Sequence, residues 1–491
     1  MKYSYMDSSE IKSKTLVGVI WQFLQKFITQ IVGFIVTVVL ARILSPSDYG
    51  VVAIASMFNI LLGLLVSGSM DSALIQKKDI DELDCNTVFF SSLLMSVIIY
   101  GVIFLFAPLV ADLFHNNMIS PIMRTLALTL PIGALAMVQN AIVSRDLNFK
   151  KFFYVSLFGQ TISAVVGIAM ALNKFGAWAL VGQNIVSIVA NTFTLFFLVK
   201  WHPRFMFSWT RFKSLFNFAW KQTASSLLGT FCDQLKGYLI GYKYTTFDLA
   251  FFNRGEGLPE MFKNNISGTI KAVLFPALSK CQDDKEMIKK GIRRSMMTSS
   301  YILTPIFFGL CATSDKIVPI LYSNKWMQSV PFMQVACLTC CVTILNDANL
   351  QPILALGKSG EVLKVEFYKK PIMIILLFVA IFICPLAISI SMLLYSLYVL
   401  YVNSKLNAKY LDYPLCEQIL DIKAGLLLSL IMFIGVFFLG FVFNSKLIAL
   451  CVQIPFGIFL YITLSEIIKP EAYVFVKDLF VNLISKYKSS K

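Results

Sequence analysis

Apolar runs long enough to cross the ~30 Å hydrocarbon core of a bilayer recur about 14 times along the chain, near residues 17–41, 49–70, 88–112, 121–143, 153–172, 178–199, 214–241, 247–275, 297–315, 329–348, 367–385, 387–405, 424–444 and 447–468. This pattern predicts an all-α integral membrane protein whose helices are joined by short connections. Two runs break the apolar rule. The seventh and eighth carry Lys221, Asp233, Lys236, Arg254, Glu256, Glu260, Lys263 and Lys271. An ionised group at bilayer depth costs roughly 2.5–3.5 kcal/mol, so five bases facing lipid would cost roughly 12–18 kcal/mol. They are therefore expected to face water. Lys221, Ser225, Gly229, Asp233 and Lys236 recur at helical period, as do Glu256, Glu260, Lys263, Ser267 and Lys271, while Arg254 falls off the second stripe. The expectation is a hydrated, net basic cavity suited to an anion, with Asn264 and Asn265 as polar lining. The first run adds a wet face of Gln22, Gln25, Lys26 and Thr29 with Gln30 beside it, and Arg124 is a further base within a span.

The chain repeats itself weakly at an interval of about 200 residues: Trp21-Gln22 is answered by Trp220-Lys221-Gln222, Asp48 by Asp248, and Ser67-Gly68 by Ser267-Gly268. This suggests two six-helix lobes, 1–200 and 214–410, joined by a basic cytoplasmic linker at 201–213. Residues 411–491 supply two peripheral helices and a tail. Gly255, Gly257 and Pro259 predict an interruption of the eighth span, and Pro131 and Pro305 are candidate kinks.

Composition agrees with this class: 57% of residues are hydrophobic, 14% are charged, and the mean hydropathy is +0.73. The net charge of +16 is a topology signal rather than a nucleic-acid footprint. With the N-terminus inside, cytoplasmic segments hold 30 of the 43 Lys and Arg, including Lys358 to Lys370, and outer loops hold six. Both termini are thus expected in the cytoplasm. The ten cysteines lie mostly inside spans, and the two histidines in loops, which predicts core packing rather than a metal site. No connection is long enough for a soluble catalytic domain, and no nucleotide-binding loop, zinc motif or Ser/His/Asp set occurs. The protein is expected to be no enzyme and to carry no cofactor.

Several strings then take on meaning: ARILSPSDYG at 41–50, ALIQKK at 73–78, RDLNF at 145–149, FNR at 252–254, FPALS at 275–279 and NKW at 324–326. In these the chain resembles Wzx-type flippases, the polysaccharide-exporter branch of the multidrug/oligosaccharidyl-lipid/polysaccharide superfamily, and especially the colanic-acid and teichuronic-acid exporter subgroup. The resemblance implies an alternating-access transporter in the bacterial inner membrane. It implies as cargo an undecaprenyl-diphosphate-linked oligosaccharide repeat unit, with polysaccharide polymerase and chain-length machinery as partners.

In that reading the bases Lys221, Lys236, Arg254, Lys263, Lys271, Lys26 and Arg124 replace the hydration of the diphosphate, and the Gln and Asn side chains bond sugar hydroxyls. Two roles stand open for Asp233, Glu256 and Glu260: coupling to a sodium or proton gradient, or neutralisation of neighbouring bases. Two other functions remain as alternatives. A cation-coupled multidrug exporter would favour a cavity of acids and aromatics, and a glycan polymerase or ligase would present a long charged outer loop.

Overall fold

The computed structural model describes residues 8–68, 70–77, 79–279 and 284–478. Its helices are, in chain order, α1 (Ser8–Ile43), α2 (Pro46–Ser67), α3 (Met70–Gln76), α4 (Glu82–Leu113), α5 (Ile119–Ala127), α6 (Thr129–Leu135), α7 (Met137–Arg145), α8 (Phe149–Leu172), α9 (Ala177–Leu198), α10 (Trp209–Lys243), α11 (Thr246–Ser279), α12 (Lys285–Tyr322), α13 (Val330–Ala355), α14 (Ser359–Ala380), α15 (Pro385–Leu411), α16 (Leu415–Leu439) and α17 (Lys446–Ile468). Among the described residues ten helices are long and apolar enough to cross a membrane, and α5 to α7, bent by 46°, supply an eleventh span. Polar and charged residues keep α10, α11 and α14 outside that purely apolar criterion. Each of the fourteen apolar runs thus coincides with a helix, or with the bent α5–α7 segment.

The chain gathers into two compact units, Met1–Ala250 and Phe251–Lys491. This division is by proximity and falls inside α11, whereas the lobes expected from the repeat divide at 201–213. In unit 1 the buried core runs through Leu74, Val88, Val138 and Ala219. In unit 2 the described residues include a core around Ile288, Ile292 and Tyr413 and another around Tyr301, Leu428 and Met432.

The repeat is visible in local geometry. Ser45 and Asp48 form a capping box at the start of α2, with the Ser45 hydroxyl donating to Asp48 Oδ2 at 2.6 Å. Thr245 and Asp248 do the same for α11, again at 2.6 Å. The resemblance ends at the other end of these helices. Gly68 closes α2 in the left-handed conformation (φ 50°), whereas Ser267-Gly268 lies within unbroken α11. The expected interruption at Gly255, Gly257 and Pro259 is likewise absent, because α11 passes through all three. Gly255 serves close packing instead: a Cβ there would lie 2.8 Å from the Ser329 carbonyl oxygen.

Two helix-interior prolines are matched by tertiary donors. Pro108 offers no N–H to the Phe104 carbonyl four residues earlier; Arg124 Nε donates to that oxygen at 3.0 Å and its guanidinium lies 4.2 Å from the Phe104 ring. Pro305 likewise leaves the Tyr301 carbonyl free, and the Tyr461 hydroxyl on α17 donates to it at 2.7 Å. α12 is continuous through Pro305, while the segment around Pro131 is divided into α5, α6 and α7 at Leu128 and Ala136. Arg124→Gln is expected to destabilise the detergent-solubilised protein by about 1–3 kcal/mol. Adding Pro108→Ala, which restores the intrahelical donor, should recover most of the loss in a thermal-unfolding assay.

The 200–211 connection is fastened to the start of α4. Asp84 is fully buried, 2.5 Å from Lys77 Nζ and 3.5 Å from an Arg211 nitrogen, while Arg211 also reaches Asp81 at 3.3 Å and Arg204 reaches Glu82 at 3.0 Å. Arg145 donates to the Leu74 carbonyl at 3.1 Å and to that of Lys77, closing the end of α3. The strings ALIQKK and RDLNF thus meet. Burial works to raise the Asp81 carboxyl, but hydrogen bonds with Asp84 and the Arg211 and Lys77 charges bring it below its ordinary value. Its contribution to stability is therefore present above its unfolded pKa, about 3.9, and is lost as pH falls through the lower folded value. Lys77→Met removes a partner of a buried carboxylate and should cost on the order of 3 kcal/mol, read as a lower unfolding midpoint at pH 7.

Candidate functional site

α10 is 35 residues long, about 52 Å at 1.5 Å per residue, so it outreaches the ~30 Å hydrocarbon core. Ser208 caps its start, accepting from the Arg211 N–H at 3.4 Å. Along one side run Thr210, Lys213, Ser214, Asn217 and Lys221, at i, i+3, i+4, i+7 and i+11 and all exposed. A cavity of about 560 Å³ opens here, lined by Thr210, Lys213, Ser214, Phe216, Asn217 and Trp220. It offers an ammonium, hydroxyl and amide groups, and two aromatic faces. Such groups have the chemistry to bond phosphate and hydroxyls through the base and amide, and to stack rings on the aromatic faces.

Farther along α10, Asp233 is exposed and Lys236 is half-buried and engaged with neighbours. The helix then closes on α2. Tyr238 OH donates to the Met57 carbonyl at 3.0 Å, its ring lies 5.1 Å from Phe58, and Gly237 and Gly241 admit Met57 and Phe114. At the end of this seam a Cβ on Gly50 would lie 1.9 Å from the Thr246 carbonyl oxygen. Only glycine permits that approach.

The other expected site residues divide. In unit 2, Lys263 and Glu260 form an i, i+3 pair at 3.8 Å, Asn264 and Asn265 are exposed, and Asn265 bonds the Met261 carbonyl at 2.8 Å. Glu256 is half-buried and engaged. Arg254 is held between the rings of Tyr322 and Trp326, each 4.9 Å from its guanidinium carbon. Through Arg254 and Trp326 the FNR and NKW strings thus meet, and Phe251, just before the first, packs edge-on against Trp326. Lys271 belongs to α11, but its side chain lies outside the described residues. On α1, Gln22 and Lys26 are exposed and Gln30 is half-buried, whereas Gln25 donates to Ser156 of α8 at 2.7 Å. Gln25 and Arg124 are thereby committed to helix packing.

Sequence reasoning does not reach Lys213, Asn217 and Trp220 as site residues, because Lys213 falls in the linker and Trp220 enters only through the repeat. Their spacing from Lys221 was the signal. It also placed Lys369 in a cytoplasmic connection, whereas it lies within α14 and is buried.

Residues 39–331 match the profile of the polysaccharide biosynthesis protein family, more than half of the chain. The chain belongs to that family. This polysaccharide biosynthesis protein is 24% identical over 330 residues to the succinoglycan biosynthesis transport protein ExoT of Rhizobium meliloti, covering 67% of each chain. It is 23% identical over 333 residues to the lipopolysaccharide biosynthesis protein WzxC of Escherichia coli, again covering 67% of each. With the teichuronic acid biosynthesis protein TuaB of Bacillus subtilis it shares 20% identity over 352 residues, 71% of this chain and 73% of that one. Among solved structures its fold is similar to the lipid II flippase MurJ in an inward closed conformation, with a TM-score of 0.72 at 15% identity, covering 94% of this chain and all of that one. It is also similar to an inward-facing multidrug resistance MATE family transporter, with a TM-score of 0.58 at 13% identity, covering 80% and 98%. The chain thus has a multi-pass helical membrane fold like that of these two transporters.

Proposed function

We propose that this protein flips undecaprenyl-diphosphate-linked oligosaccharide repeat units, precursors of a surface polysaccharide, across the bacterial inner membrane by alternating access. The observation that carries the reading is the basic, hydroxyl- and amide-bearing face of α10, with its cavity at Lys213, Asn217 and Trp220. The relatives' names point the same way, since they are polysaccharide and teichuronic acid biosynthesis and transport proteins. A flippase breaks no covalent bond, and the reading is of a transporter rather than an enzyme. In this reading Lys213 and Lys221 meet the phosphate charge, Lys236, Gln22, Lys26 and Gln30 are the further cargo-contact candidates of unit 1, and Lys263, Lys271, Asn264 and Asn265 are those of unit 2. Asp233, Glu256 and Glu260 are candidates for ion coupling. The moving bodies are the lobes 1–200 and 214–410, with both termini cytoplasmic and a polymerase and chain-length machinery acting on the delivered cargo.

The test is reconstitution of the full chain into proteoliposomes with a fluorescent undecaprenyl-diphosphate oligosaccharide. Transbilayer movement, read by a membrane-impermeant quencher, should require the protein and depend on Lys213 and Lys221. A rate equal to that of empty liposomes would overturn the assignment. An exporter of organic cations would instead move a lipophilic cation and leave the glycolipid in place.

A further inference from the structure

The connection between α9 and α10 runs along the first turns of α4, and this fixes its depth. The Arg204 N–H donates to Asn86 Oδ1 at 2.6 Å and the Ser208 N–H to Thr87 Oγ1 at 3.2 Å; both acceptor side chains are buried. At one end of this track Arg204 Nη1 lies 3.0 Å from Glu82. At the other, the rings of Trp201 and Phe205 lie 5.8 and 5.4 Å from those of Phe89 and Phe90, where the apolar run of α4 begins. From Glu82 to Phe90 the helix rises about 12 Å. A headgroup layer adds only roughly 5–8 Å on each side of the hydrocarbon. With the basic end among headgroups, the aromatic end therefore reaches the acyl boundary.

The side chains suit those two layers. Phe205 is 99% exposed and Trp209 67%, with Phe207 exposed between them, and Trp209 stacks on Phe212 at 5.1 Å. Residues 200–213 include Lys200, Arg204, Arg211 and Lys213 and no acid. Arg211 is held by Asp81 and Asp84, but Lys200 is exposed and the Arg204 side chain remains 71% exposed beside Glu82. Aromatic rings are favoured at the membrane interface, and bases placed there attract anionic lipid. A soluble protein would not reach rings at acyl depth, whereas the leaflet already surrounds α4 and α9.

We propose that residues 200–209 form a phospholipid-binding foot: Phe205, Phe207 and Trp209 enter the leaflet, and Lys200 and Arg204 hold the phosphates of anionic phospholipids around it. The connection into α10 is thereby tied to the membrane surface as well as to α4. This holds whatever the cargo, and its test requires no transport substrate.

The full-length protein is reconstituted into vesicles of equal parts phosphatidylcholine and phosphatidylglycerol, in which one lipid or the other carries brominated acyl chains. The difference in tryptophan fluorescence between the wild type and Trp209→Phe, which keeps a ring against Phe212, isolates Trp209. Its emission should be quenched by both lipids, and at least about twofold more strongly when phosphatidylglycerol is the brominated one. Lys200→Gln/Arg204→Gln should make the two lipids equal. So should raising the salt around the wild type to about 1 M, where the Debye length is ~3 Å; this arm decides even if the double variant does not accumulate. Trp209 unquenched by either lipid, equal quenching by both at low salt, or a preference that survives high salt would overturn the proposal.

Discussion

Lys221→Gln is expected to reduce glycan export at least about tenfold while the protein stays at normal levels in the membrane. Lys221 is exposed on α10, so its removal leaves no buried partner behind and folding should be spared. What is lost is a charge-assisted contact to phosphate, worth about 1.5–3 kcal/mol, and about 1.4 kcal/mol is a factor of ten. Lys213→Gln at the cavity wall should behave alike, and the double variant should fall further. The measurement is surface polysaccharide per cell, normalised to membrane-inserted protein by immunoblot. Normal polysaccharide in both single variants and in the double variant would remove α10 from the cargo path.

Gly50→Ala should have a comparable effect by a different route. The added Cβ would meet the Thr246 carbonyl oxygen at 1.9 Å, far inside van der Waals contact, so the start of α2 and the 245–246 turn must separate. Because α10 is anchored at its other end by Arg211 on Asp81 and Asp84, the strain falls on the seam of Met57, Phe58 and Tyr238. Export should drop about tenfold or more, since a displacement of 1–2 Å at a closely packed seam is not absorbed by a few tenths of an ångström of relaxation. A cysteine placed at Thr246 should also react faster with a membrane-impermeant maleimide in the Gly50→Ala background than in the wild type. Unchanged reactivity together with unchanged export would show that this contact neither seals nor moves.

The class of fold was legible because bilayer thickness imposes a length on every spanning helix, and a one-dimensional pattern suffices to read it. Even the charged α10, α11 and α14, which fail a purely apolar criterion, follow the same spacing. The Asp48/Asp248 correspondence was also legible, although the capping boxes these residues form with Ser45 and Thr245 became visible only in the structure. Individual site residues were harder. Lys221, Lys263 and Arg124 look alike in sequence, but Lys221 is exposed, Lys263 lies beside Glu260, and Arg124 answers the carbonyl that Pro108 leaves free. That last role depends on a contact 20 residues away, which no periodicity announces.

The amino-acid order alone therefore determined that this is a polytopic helical membrane protein, where its helices run, and that bases concentrate within the two helices after residue 213. Those properties follow from local hydrogen bonding and from the cost of placing charge in hydrocarbon. Only the tertiary structure decided which charges are free to meet a ligand and which are spent on the fold: Lys369 on Glu366 and Asn403, Arg254 between Tyr322 and Trp326, Asp84 on Lys77 and Arg211. The reason is that the partners of these groups lie on helices remote in sequence or a turn away on a face that only packing defines. A buried charge is identified by what surrounds it, not by its place in the chain.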